Sequence, residues 1–198
     1  MAQRYIALLR GINVGRAKRV AMADLRALIE SLGYRDVRTL LNSGNVVFTG
    51  DRAGASAAAT AAARIEAALA SKLELVSRVT VLTAAELEAA IDAMPLAKVA
   101  KDPSRLLVAV LADPADLVLI APLARRDWRP GALALGKRVA YLWCPDGQLA
   151  SPHAEALGKT LRDGVTTRNW ATMTKLLELT RSGEPAAAAA KQPPKRRG

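Results

Sequence analysis

Residues 5–20 read YIALLRGINVGRAKRV, and the fold turns on how this stretch divides. Residues 4–10 alternate and read as a buried strand. The strand stops at Arg10-Gly11, passes Asn13 and Gly15, and gives way to Arg16, Lys18 and Arg19. The next stretch, MADLRALIESLG, reads as a helix. Its Leu25, Leu28, Ile29 and Leu32 fall on one face, and Gly33 is placed to end it. VRTLL and NVVFT are two strands separated by a short turn at Ser43-Gly44. The alanine-rich segment ASAAATAAARIEAALASKL carries a stripe of Ile65, Leu69 and Leu73, and SRVTVLT returns as a strand. The order strand, helix, strand, strand, helix, strand across residues 1–82 is the ferredoxin-like β-α-β-β-α-β arrangement.

A related pattern begins in residues 83–183. Thr83 and Glu86 form the reciprocal pair of a capping box, opening a helix that stops before Pro95. RLLVAVL reads as a strand, and Asp113-Pro114 starts a short helix. ALAL and RVAYLWC flank Gly136-Lys137 as a second hairpin. Ser151-Pro152 starts another helix, and WATMTKLLELT forms the last one. The expected fold class is therefore α+β, with a second α/β unit related to the first and closely packed against it. No linker separates the halves, so residues 1–183 are read as one compact domain with an internal duplication. Residues 184–198 are low in complexity, with no apolar face to bury, and are expected to be a disordered basic tail.

The chain has 198 residues, 51% of them hydrophobic, which is enough for a sizeable core. No secretory signal or membrane-length apolar run is apparent, and the single cysteine precludes an intrachain disulfide. These features lead to the expectation of a cytosolic protein without metal or cofactor. The formal net charge is +11. In the tail Lys191, Lys195, Arg196 and Arg197 oppose Glu184, a balance of +3, which leaves +8 on residues 1–183. A basic body favours anionic partners, whether small molecules or nucleic acid.

Topology indicates where such a partner would sit. In a strand-helix-strand unit the first two strands run parallel, so Arg10 lies at the same sheet edge as the Asn42-Ser43-Gly44-Asn45 turn. Arg10, Gly11, Asn13, Gly15, Ser43, Gly44 and Asn45 would then form a rim with more hydrogen-bond donors than acceptors, suited to a carboxylate, a phosphate or a base edge. Asparagine and glycine also favour turns for backbone reasons alone. The glycine spacing matches neither a dinucleotide fold nor a nucleoside-triphosphate loop. Near the C-terminus Thr167 or Asn169 can cap the helix that starts near Trp170, with Arg168 at its positive end. Trp170, Met173 and Leu177 share an apolar face, and Lys175 lies on the polar side.

A second basic cluster, Arg125, Arg126 and Arg129 around Trp128, could contact single-stranded nucleic acid or could be a loop pinned by one tryptophan. Signs of catalysis are few. His153 is the lone histidine, read as a surface or helix-terminus residue, and Cys144 is read as inert packing. The donor set has no identifiable base or nucleophile. Binding of an anionic small ligand or nucleic acid is therefore the leading expectation. The alternatives are a small cofactor-free enzyme acting on a phosphorylated or carboxylated metabolite, and a basic protein-interaction module.

The blocks YIALLRGINVG, MADLRALIESLGYRDVRTLLNSGNVVF, YLWCPDG and TTRNWATMTKLLEL together resemble the bacterial domain-of-unknown-function 1697 family. The resemblance extends over nearly the whole chain apart from the tail. It implies a compact α+β protein of ferredoxin-like character and no settled activity. It also marks Arg10, Gly11, Asn13, Gly15, Ser43, Gly44, Asn45, Thr167, Arg168, Asn169 and Lys175. The chain departs from the family pattern at Arg16, where a second glycine is typical.

Overall fold

A computed structural model describes residues 2–13 and 19–182. Gly15, Arg16, Lys18 and the tail therefore lie outside the described residues. The first unit consists of β1 (Gln3–Leu9), α1 (Met22–Ser31), β2 (Arg35–Leu40), β3 (Asn45–Gly50), α2 (Ala55–Leu73) and β4 (Val79–Thr83). Its sheet has the order β2-β3-β1-β4, and every neighbouring pair is antiparallel. This is the ferredoxin-like topology expected from the order of elements. Tyr5 to Leu9 are all buried because β1 is covered on both faces: Tyr5, Ala7 and Leu9 face α1 and α2, while Ile6 and Leu8 face the second unit. Burying both faces favours a continuous apolar run, and each large side chain so buried contributes about 1.5–3 kcal/mol.

α3 (Ala84–Asp92) follows, opened by the Thr83–Glu86 capping box with both reciprocal hydrogen bonds present. The second unit then runs β5 (Leu106–Leu111), a 3-10 turn at Pro114–Asp116, α4 (Leu117–Ala124), β6 (Ala132–Leu135), β7 (Val139–Trp143), α5 (Pro152–Leu161) and β8 (Val165–Asn169). α6 (Trp170–Arg181) ends the described chain. The second sheet has the order β6-β7-β5-β8, again antiparallel throughout, so it repeats the topology of the first. In the sequence Thr167–Asn169 read only as a helix cap, and β8 is not among the expected elements. The segment VTTRN has one apolar residue and no alternation, as an edge strand can, and its pairing with β5 supplies the missing signal.

One core lies under α1 and α2, and another joins the outer face of the second sheet to α4 and α5. Between them, residues of both sheets share a third cluster with α3 and α6, including Ile6, Leu8, Val108, Tyr141, Met173 and Leu176. Thr80 and Thr166 meet directly across this layer, with their hydroxyls 3.3 Å apart. His153 is not on the surface. It is 2% exposed in the first turn of α5, beneath Trp128 and beside Cys144, because the helix start packs inward on the loop before β6. No described helix is long and apolar enough to cross a membrane.

Candidate anion-binding cleft

The end of β1 and the β2–β3 turn share one rim. Leu9 N donates to Gly44 O at 2.8 Å, and Asn13 Nδ2 donates to Asn42 O at 2.8 Å. Asn13 also closes its own loop: Nδ2 donates to Val20 O at 3.0 Å, and Oδ1 accepts from Val20 N at 2.8 Å. The residue adopts a left-handed φ of 55°, which asparagine tolerates better than most residues. Gly44, with a φ of 73°, is needed for space as well as for backbone freedom. A Cβ there would lie 2.7 Å from Leu9 Cβ and from Ile12 Cδ1.

Arg168 of β8 reaches into this rim from the second unit. Its Nε donates to Asn45 Oδ1 at 2.5 Å, and Nη2 donates to Leu9 O at 2.7 Å and to Ser43 O at 2.9 Å. Nη1 donates to Thr167 O at 2.8 Å. Asn45 is completely buried, and its Nδ2 is spent on Leu40 O and Ser43 Oγ. The guanidinium therefore fastens the two units together. Among the described residues all of its acceptors are neutral, and no carboxylate pairs with it. Burial pulls its pKa down from 12.5 to about 10, since little water is left to solvate the charge. A guanidinium has five N–H groups. Four are accounted for, and the fifth has no acceptor among the described residues.

Arg168 also lines a cleft of about 400 Å³ between the units. Arg10 and Gly11 form one lip, and Thr166 and Thr167 continue the β8 wall. Leu107, Leu142 and Leu157 supply apolar surface, and Gln148 and Gly158 complete the far side. Arg10 Nη1 is paired with Asp163 at 2.6 Å, with side chains 42% and 71% exposed. Such an exposed pair contributes at most about 1 kcal/mol, so a ligand can compete for the arginine.

The residues singled out from sequence therefore divide into groups. Arg10, Gly11 and Arg168 line the cleft. Asn13, Ser43, Gly44 and Asn45 brace it from behind: Asn13 holds the Asn42 carbonyl, Gly44 O accepts from Leu9 N, and Ser43 and Asn45 bond to each other and to Arg168. Asn169 caps α6, its Oδ1 accepting from Thr172 N at 2.9 Å. Lys175 is exposed on α6, away from the cleft lining. Gln148, Gly158 and Thr166 are absent from the sequence-based set. Gly158 carries a legible signal, a glycine inside a helix where alanine is favoured by about 1 kcal/mol. Nothing lies within 4 Å of a Cβ built on it.

The Arg125 cluster lies elsewhere. Trp128 Nε1 donates to Leu123 O at 2.7 Å, Arg126 lies 4.6 Å from the ring centroid, and His153 packs against the ring at 5.6 Å. Arg129 is tied to Asp127, whose pKa is lowered to about 2, first by its hydrogen bonds from the Arg129 side chain and backbone. Cys144 is buried, and burial raises its pKa, so it is a thiol at neutral pH. No group of three or more metal-ligating side chains is present among the described residues.

Comparison with known proteins agrees with this architecture. The structure of the conserved bacterial protein SP0830 from Streptococcus pneumoniae is similar to this chain, with a TM-score of 0.74 and 25% identity. The alignment covers 91% of this chain and 99% of that one. No curated protein matches. The model of a family described as a protein of unknown function, DUF1697, matches residues 2–141, from the start of the first unit into β7 of the second. It stops short of the Thr167–Trp170 block that also entered the resemblance read from sequence. With well over half of its length matched, the chain belongs to the DUF1697 family.

Proposed function

We propose that this protein binds an anionic small molecule, a carboxylate or phosphate, in the cleft between its two units. The observation that carries this reading is Arg168, a cation stripped of water, without a carboxylate partner among the described residues and with one N–H unspent. A ligand anion would supply the missing counter-charge, and Arg10 at the lip would add a second cation once released from Asp163. The apolar wall of Leu107, Leu142 and Leu157 suits a ligand with a carbon skeleton over a bare ion. The cleft lining contains no histidine, cysteine or carboxylate among the described residues, which favours binding over acid–base catalysis there.

The test is a melting screen of the full chain against phosphate, pyrophosphate, nucleotides, sugar phosphates and small carboxylic acids. Stabilisation by one class is expected, and a ligand at 100 times its Kd adds about 2.7 kcal/mol. Arg10→Ala should weaken that response. Gly158→Leu, which places a side chain in the cleft, should remove it. A screen without a stabiliser, or a response unchanged in both variants, overturns the proposal.

A further inference from the structure

A second cavity, of about 560 Å³, opens between α3 and the β6–β7 hairpin and shares no lining residue with the cleft. Its floor is Leu82, Val139 and Tyr141, all buried, and one wall is the alanine face of α3, formed by Ala89, Ala90 and Ala93. Alanine there leaves the space open, and the volume lies within the range of small-molecule sites. Tyr141 is not a free polar group, because its hydroxyl donates to Ala90 O at 2.5 Å.

Charge is distributed unevenly around the cavity. At the start of α3, Glu86 is fully used: Oε2 accepts from Thr83 N at 2.8 Å and Oε1 from Arg138 Nη1 at 2.6 Å. Arg138 also donates to Leu111 O and Ala112 O, so three of its five N–H groups are bound and two have no acceptor among the described residues. Lys137, beside it on the hairpin tip, lines the cavity with no ion pair or hydrogen bond to a described residue. The unmet groups at this end are therefore donors on cations. The other end carries Asp92, the last residue of α3. Asp92 lies six residues beyond Glu86, about 9 Å along the helix axis, where the helix dipole is also negative.

We infer that this cavity binds an amphipathic monocarboxylic acid, with its apolar body on the alanine face of α3 and its carboxylate at Lys137 and Arg138. The same polarity disfavours a dicarboxylate of equal length, because its second carboxylate would approach Asp92. This site is independent of the cleft that Arg168 lines, so failure of either reading leaves the other standing.

Isothermal titration of the full chain with octanoate, octan-1-ol and octanedioate tests the inference. Octanoate is expected to bind about tenfold or more tighter than octan-1-ol, the worth of one charge-assisted hydrogen bond, and tighter than octanedioate. Lys137→Gln should narrow the gap between acid and alcohol. Ala89→Phe, which fills the cavity from an exposed position, should abolish octanoate binding, and Gly158→Leu should leave it intact. Ala93→Phe serves if the first filling variant does not fold, as judged by circular dichroism. No binding of octanoate, equal affinity for the alcohol or the diacid, or octanoate binding that persists in a folded filling variant overturns the proposal.

Discussion

Arg168 Nε and Asn45 Oδ1 are 2.5 Å apart, although 123 positions separate the two residues along the chain. Asn45 sits on the inner strand β3 of the first sheet, beside β1, and Arg168 on the edge strand β8 of the second. Two polar residues that look like loop features in the sequence thus form the cross-link between the two units. The same guanidinium is the cation on which the proposed anion site depends, so the join and the cleft lining share a residue.

Arg168→Ala should lower unfolding stability by about 3–5 kcal/mol, because Asn45 Oδ1, Leu9 O and Ser43 O all lose their donor in a buried setting. Arg168→Lys should recover only part of this, since an ammonium lacks the planar fork that reaches all three acceptors. Urea unfolding of the two variants checks the order. A double-mutant cycle with Asn45→Ala should give a coupling energy of about 0.5–3 kcal/mol.

Gly44→Ala should destabilise the rim by about 2 kcal/mol or more. The new Cβ meets Leu9 Cβ, which cannot swing away, and the backbone stays left-handed at a φ of 73°. Gly158→Ala should do the opposite and add up to about 1 kcal/mol, since the helix position is open. Thermal melts of both variants test the contrast.

Protonation of His153 should weaken the fold. Burial lowers its pKa below the ordinary 6.5, the nearby Trp143 carbonyl offsetting this only in part, and its buried Nδ1 has no hydrogen-bond partner. The neutral ring is the folded form. The corresponding stability is present above 6.5 and is lost as the pH falls through 6.5 towards the lower folded value. This is the only histidine in the chain, so a loss of stability between neutral and mildly acidic pH should vanish in His153→Leu. Urea midpoints measured across that pH range provide the check.

Glu86 titrates in a lower window. Burial alone would raise its pKa, but the Thr83 backbone N–H and Arg138 outweigh that and hold it below 4.5. Its contribution is present above 4.5 and disappears as the pH falls through the depressed folded value. Glu86→Gln should therefore be less stable than the unmodified chain at neutral pH, by about 1–2 kcal/mol, with the difference closing in acid. Paired unfolding curves at the two pH values decide this.

Local signals in the sequence determined the elements with strong periodicity or end chemistry. The alanine-rich run became α2 with the expected limits, the Thr83–Glu86 pair opened α3, and the order of the first six elements fixed their sheet topology. These features depend on neighbours a few residues away, so a linear reading captures them. The shared rim of the β1 loop and the Ser43-Gly44 turn also followed from topology alone. Tertiary structure alone decided that VTTRN is a strand, that His153 is buried, and that Arg168 reaches Asn45 and the distant carbonyls of Leu9 and Ser43. Each depends on a partner far away in the chain, and pairing of that kind leaves no periodic mark in the segment itself. The cleft has the same origin: its lining comes from two units that repeat one topology, and only their packing brings Arg10 and Arg168 to one space.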